Sequence, residues 1–292
     1  MIKYNPKSWF KLIFAIHKSD TLRILWKELI YIGVFTSIIT FLVMQYGGSY
    51  VASLEKLITL YSLIGFVISL LLVFRTNTAY DRWWEGRKKW GALVNDCRNL
   101  AIKLETSVRS EQQRDTLRRM VGNFPMAMKE HLRNRTNLDL LELTEEERLL
   151  LKTKDHVPVA ISQLITLSAK QAKKSGEITE EEYITIDHNI NALLDSLGAC
   201  ERIKNTPIPF SYSLFIKKFI FIYVTTIPLA FITVFGYYSA LISLFVFYVL
   251  VSMEVLAEEI EDPFGEDDND LPTDDLSEKI RSNVNEIFLG VK

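Results

Sequence analysis

Three long stretches of this chain hold no charged residue, and they dictate most of what it can fold into. The first runs from Leu29 to Leu54, the second from Leu57 to Phe74 and the third from Phe219 to Met253. A helix needs about 20 apolar residues to cross the hydrocarbon core of a bilayer, and soluble cores rarely string three uncharged runs of this length. The heart of the first run, LIYIGVFTSIITFLVMQY, is long enough to span and meets a natural stop at Gly47-Gly48. The second follows almost at once, so the two form an antiparallel hairpin. As one helix rising ~1.5 Å per residue, the third would be about 50 Å long against a core of ~30 Å. A break near FGYYSA, Phe235 to Ala240, divides it into two shorter spans. Four spans are therefore expected.

Basic residues orient them. Lys3, Lys7, Lys11, Lys18, Arg23 and Lys27 precede the first span, Arg75, Arg82, Arg87, Lys88 and Lys89 follow the second, and Lys217 and Lys218 precede the third. The excess of Lys and Arg marks the cytoplasmic side. That places both termini and the middle of the chain in the cytoplasm of an integral plasma (inner) membrane protein. The start, MIKYNPKSWFKLIF, does not read as a signal peptide, because its apolar part is short and broken by lysines. Lys and Arg at 34 nearly balance Asp and Glu at 36, so charge gives no reason to expect a nucleic acid partner. Cys97 and Cys200 form no CxxC pair and suggest a reducing compartment.

Residues 75 to 210 read as helices. Ser110 to Gln113, Thr144 to Glu147 and Thr179 to Glu182 have the form of capping boxes, and Ile186, Ile190 and Leu194 recur at helical spacing. Pro125 is expected to start or kink a helix. TPIPF, Thr206 to Phe210, cannot be helix interior and reads as the hinge that returns the chain to the membrane.

Signatures of catalysis are missing: no HExxH, P-loop, GxGxxG or GxSxG occurs. His17, His131, His156 and His188 are scattered, and none lies near a second metal ligand at a ligand-like spacing. Polar residues of the spans are Ser, Thr, Tyr and Gln, which argues against an enzyme or a coupled transporter with carboxylates at membrane depth. A pore needs no reactive group, only walls of suitable width. Ile64, Ile68 and Leu72 form an i, i+4, i+8 stripe on the second span, and rings of them from several subunits would make a narrow apolar neck. Any apolar helix carries such a stripe, so spacing alone leaves lipid contact and helix packing open. After the last span comes EEIEDPFGEDDNDLPTDD, Glu258 to Asp275. Glu259, Asp262, Glu266, Asp267, Asp268 and Asp270 offer the hard oxygens that suit Ca²⁺. The order is not that of an EF-hand loop, and a solvated acidic turn remains equally open.

Three motifs, FRTNTAYDRWWEGRKKWG (Phe74 to Gly91), LGACERIKNTPIPFSY (Leu197 to Tyr212) and EIEDPFGEDDNDLP (Glu259 to Pro272), resemble the bestrophin family in its bacterial form. Their order relative to the spans also agrees, and the resemblance covers nearly the whole chain. It implies an all-α membrane protein, four transmembrane helices with a large helical cytosolic region, assembled as a homopentamer around a central pore. The second span would line a neck at Ile64, Ile68 and Leu72, and Ile190 would form a cytosolic constriction. In animal members the acidic segment holds an activating Ca²⁺, and matching it gives Glu259, Asp262, Asp267 and Asp270. Animal and plant members conduct anions, at least some bacterial members favour monovalent cations, and an aliphatic neck leans toward the latter. The lining helix would continue from membrane to cytosol through a structural joint. There Arg75, Asp81, Arg82, Glu85 and Arg87 exchange ion pairs, and Trp83, Trp84 and Trp90 anchor it.

The expected organisation is an amphipathic cytosolic segment at 1–28, a transmembrane hairpin at 29–75, a helical cytosolic region at 76–211, two spans at 212–257 and an acidic tail at 258–292. The function expected is passive flow of small monovalent ions, with lipid, further copies of the chain and the permeant ions as partners. A membrane-anchored scaffold or sensor and a coupled transporter are the alternatives.

Overall fold

The computed structural model describes residues 21–48, 54 and 56–290. The first twenty positions, with Lys3 to Lys18 and His17, lie outside the described residues. Nine α-helices occur among the described residues: α1 (Thr21–Tyr46), α2 (Leu57–Ser107), α3 (Glu111–Leu132), α4 (Glu145–Lys152), α5 (Val157–Lys174), α6 (Glu180–Asn205), α7 (Phe210–Phe235), α8 (Tyr238–Glu261) and α9 (Thr273–Gly290). Four of them, α1, α2, α7 and α8, are long and apolar enough to cross a membrane.

The chain divides into two compact units. One takes the chain up to Arg82, Pro207–Glu261 and Asp267–Asn269, and the other takes Trp83–Thr206, Asp262–Glu266 and the chain from Asp270 on.

In the first unit, α1, α7 and α8 pack on one another. Their contacts use small and hydroxyl residues, as helices do where lipid supplies no hydrophobic drive. Thr21 and Ser252 hydroxyls meet at 2.8 Å, and Ser243 donates to the Val224 carbonyl at 2.8 Å. Thr36 and Thr40 are buried and return their hydroxyl protons to the carbonyls four residues back. Helix α1 ends one residue before Gly47-Gly48, as the sequence indicates. The break in the third uncharged run falls at Gly236, whose φ of +53° is a left-handed conformation open to glycine. Large apolar side chains such as Ile30, Phe41, Phe66, Phe221 and Phe245 stay exposed on these helices, the surface expected of chain solvated by lipid.

Helix α2 does not stop where its sequence turns from apolar to charged. Its 51 residues run without interruption for about 75 Å. No proline intervenes, and its glycine at position 86 is buried rather than breaking: a Cβ there would lie 3.1 Å from the Phe264 ring. Close packing, not flexibility, accounts for that glycine.

The second unit is a helical bundle around one apolar core. The α2 stripe Trp90, Leu93, Cys97, Leu100 and Leu104 meets Ile186, Ile190, Leu193 and Leu197 of α6 and Phe124 and Met128 of α3, all buried. Burial pushes the Cys200 thiol up to about 12, and the Cys97 thiol is also raised, so both stay protonated and act as small apolar groups.

Of the three expected capping boxes, two form and one does not. Thr144 with Glu147 and Thr179 with Glu182 form complete capping boxes. Ser110 makes no side-chain cap bond. Glu177 of the α5–α6 turn instead holds the chain just before the helix, accepting from the backbone N–H of Arg109 and of Ser110. Pro125 neither starts nor ends a helix; it sits inside α3.

Candidate functional site

The second span carries the first candidate. At about 100° per residue, Ile68 and Leu72 share one face of α2. That face is turned inward: Ile68 is 1% exposed and Leu72 3%, packed with Ile216, Ile220 and Val224 of α7 and with Ile32 and Phe247. Ile64 is half-buried against the same cluster. Side chains enclosed by their own chain are not available to line a passage shared between chains. Phe66 and Leu70 lie about 200° around the helix from Ile68, and Phe74 follows Leu70 by one turn. These three are exposed, at 66%, 43% and 55%. The outward stripe is therefore Phe66, Leu70 and Phe74, displaced by two residues from the stripe expected. On α6, Ile190 is likewise enclosed in the core at 2% exposed, whereas Ile184 is 62% exposed.

The joint follows along α2. Arg75 is 1% exposed, and its Nη2 pairs with Glu261 of α8 at 2.6 Å. Arg82 Nε donates to the Glu261 carbonyl at 3.0 Å. The other Glu261 carboxylate oxygen accepts from the Ile208 N–H in the TPIPF turn. One glutamate at the end of α8 thus ties α2 to the hinge; it lies within the EIEDPFGEDDNDLP motif but was not among the residues expected to act. Deep burial of Arg75 makes the pairing obligatory, because an uncompensated buried cation is costly. Glu85, within the second unit, pairs with Arg202 of α6. Asp81 is exposed. Trp83 and Trp84 stack with centroids 6.4 Å apart, with Trp83 against the core of the second unit and Trp84 exposed. Trp90 is fully buried.

In the acidic segment, Glu259 is half-buried and accepts from Asn269 at 2.6 Å. Asp262 and Asp267 are exposed. Asp270 is 1% exposed, and its carboxylate lies over Gly265 so closely that a Cβ there would sit 2.7 Å from Oδ2. A hydrogen bond from Leu271 N to the Pro263 carbonyl at 2.9 Å closes this turn. Glu266 is engaged elsewhere, in a two-pronged pair with Arg135 at 2.8 Å, and that bond holds its carboxyl below the usual range. A buried carboxylate cradled on glycine, preceded in the chain by further hard oxygens at Asp262 and Asp267, is donor chemistry that fits Ca²⁺.

A third group was not visible as a motif. His131, His156 and Glu201 converge in the second unit, although the sequence shows the histidines as scattered.

The bacterial and fungal bestrophin family model matches residues 1–286. The chain is similar to the voltage-dependent anion channel-forming protein alr2987 of Nostoc sp., with 33% identity over 288 residues, 96% of this chain and 92% of that protein. It is similar also to the voltage-dependent anion channel-forming protein YneE of Escherichia coli, with 27% identity over 283 residues, 96% of this chain and 91% of that one. Among solved structures it resembles a bacterial bestrophin homolog from Klebsiella pneumoniae, with a TM-score of 0.79 and 28% identity over 90% of this chain and 98% of that one. Homology to a non-catalytic channel family assigns ion conduction rather than catalysis. The chain, an all-α integral membrane protein, belongs to the bestrophin family in its bacterial and fungal branch.

Proposed function

We propose that five copies of the chain surround one pore and let small monovalent ions pass down their gradient, in the plasma (inner) membrane with both termini in the cytoplasm. The observation that carries this reading is the outward stripe of α2. Phe66, Leu70 and Phe74 are exposed apolar groups on an uninterrupted helix whose opposite face holds the buried Ile68 and Leu72. A surface of that kind calls for covering by lipid or by copies of itself. Arranged about an axis, the stripe gives a narrow apolar neck of the sort that gates by dewetting. The number five rests on the family, as does the membrane orientation on the basic residues.

With phenylalanines in the neck, the argument for cations from an aliphatic lining loses its basis. Ring edges carry partial positive charge and favour an anion at close range, and two of the relatives named above are called anion channel-forming. Reversal potentials in asymmetric KCl fix the sign of the permeant ion. At the cytosolic side we propose Ile184, not the enclosed Ile190, as the apolar group open to a second constriction. Glu259, Asp262, Asp267 and Asp270 would hold Ca²⁺, which would neutralise the repulsion among these carboxylates.

Reconstitution of the purified protein in planar bilayers tests the reading. Discrete single-channel currents are expected. Silent bilayers under every ionic gradient would favour a scaffold or sensor instead.

A further inference from the structure

Three helices of the second unit bring their ends to one point. His131 lies in the last turn of α3, His156 immediately precedes α5, and Glu201 lies near the end of α6. The His131 and His156 rings stack with centroids 4.2 Å apart. Both Nε2 atoms aim at the same carboxylate oxygen, Glu201 Oε1, at 2.6 and 2.8 Å. An ionised carboxylate only accepts, so each Nε2 carries a proton and donates it.

We propose that His131, His156 and Glu201 form a binding site for a first-row divalent cation of the zinc class. Two imidazoles and one carboxylate are a known three-ligand set for zinc, leaving the fourth position to water. No thiolate contributes, and imidazole selects zinc, nickel or copper over calcium and magnesium. The three donor atoms already lie within 4.8 Å of one another. Tetrahedral coordination at ~2.0–2.1 Å would set them about 3.3 Å apart, an opening of roughly half an ångström from the present hydrogen-bonded spacing. The side chains are 27–38% exposed, so a hydrated cation can reach them.

The environment also sets the strength. His156 Nδ1 is buried without a hydrogen-bond partner. In the metal-free state this suits the neutral ring, protonated on Nε2 alone. A cation on Nε2 moves that proton to Nδ1, where no acceptor steadies it, although zinc-bound imidazoles normally have one there. The site therefore binds an exchangeable cation rather than a permanent structural one. When filled, it clamps the end of α3, the start of α5 and the end of α6 together.

Co²⁺ titration of the full-length protein in detergent tests this without measuring current. The expected result is one equivalent per chain, with the visible absorption of four-coordinate Co²⁺, displaced by Zn²⁺. His131→Ala and His156→Ala should each weaken binding by more than about tenfold. Should either alanine variant fail to fold, Glu201→Gln keeps the side-chain shape and carries the same test. Absence of a saturable Co²⁺ spectrum in the wild type would overturn the site, as would unchanged affinity in the folded variants.

Discussion

At the scale of single residues, charges held out of water do the fastening. Glu261 serves Arg75, Arg82 and the Ile208 N–H together. Replacing it by Ala strands the Arg75 guanidinium, which is almost wholly buried, and should lower stability by about 3–5 kcal/mol. Chemical denaturation in detergent measures this. Asp274 plays a similar part in the second unit, between Arg133 at 2.7 Å and Lys129 at 2.8 Å. The hydrogen bond from Arg133, with a lesser one from Lys129, holds its carboxyl well below the usual carboxylate range. A depressed folded-state value means its stabilisation is complete above the unfolded value of ~3.9 and fades as pH falls below it. Asp274 is 59% exposed, so solvent screening reduces its worth to about 1 kcal/mol. Asp274→Asn should lose that amount at pH 7 and show a shallower decline in stability below pH ~4, read from melting curves across pH.

At the scale of elements, helix ends and helix faces differ in how far sequence reveals them. Thr179→Ala removes a working capping box and should cost about 1 kcal/mol, whereas Ser110→Ala should change little, since that side chain caps nothing. Paired thermal melts of the two variants check the contrast. Both positions have the same local pattern. What separates them is Glu177, distant in sequence, which holds the chain just before α3. The four spans were legible because the absence of charge is a signal along the chain, and Gly236 marked the break within the third run. The direction each face of α2 points was not. Every side of an all-apolar helix offers an i, i+4, i+8 stripe, and only packing against α7 shows that Ile68 and Leu72 point inward. His131, His156 and Glu201 were hidden for a related reason: each comes from a different helix, and no spacing rule joins them.

At the scale of the whole molecule, family membership supplies ion conduction, and the chain's own packing shows which face of α2 stays exposed. Helix α2 is the element that ties the account together, with one face in the interior of the first unit and the other left open. The most direct test is single-channel conductance of two double variants in planar bilayers. Phe66→Ala with Leu70→Ala should widen the neck and raise conductance several-fold. Ile68→Ala with Leu72→Ala should instead lower stability, by about 2–5 kcal/mol per buried side chain, and leave the conductance of surviving channels near that of wild type. Unchanged conductance in the first variant together with increased conductance in the second would contradict the account.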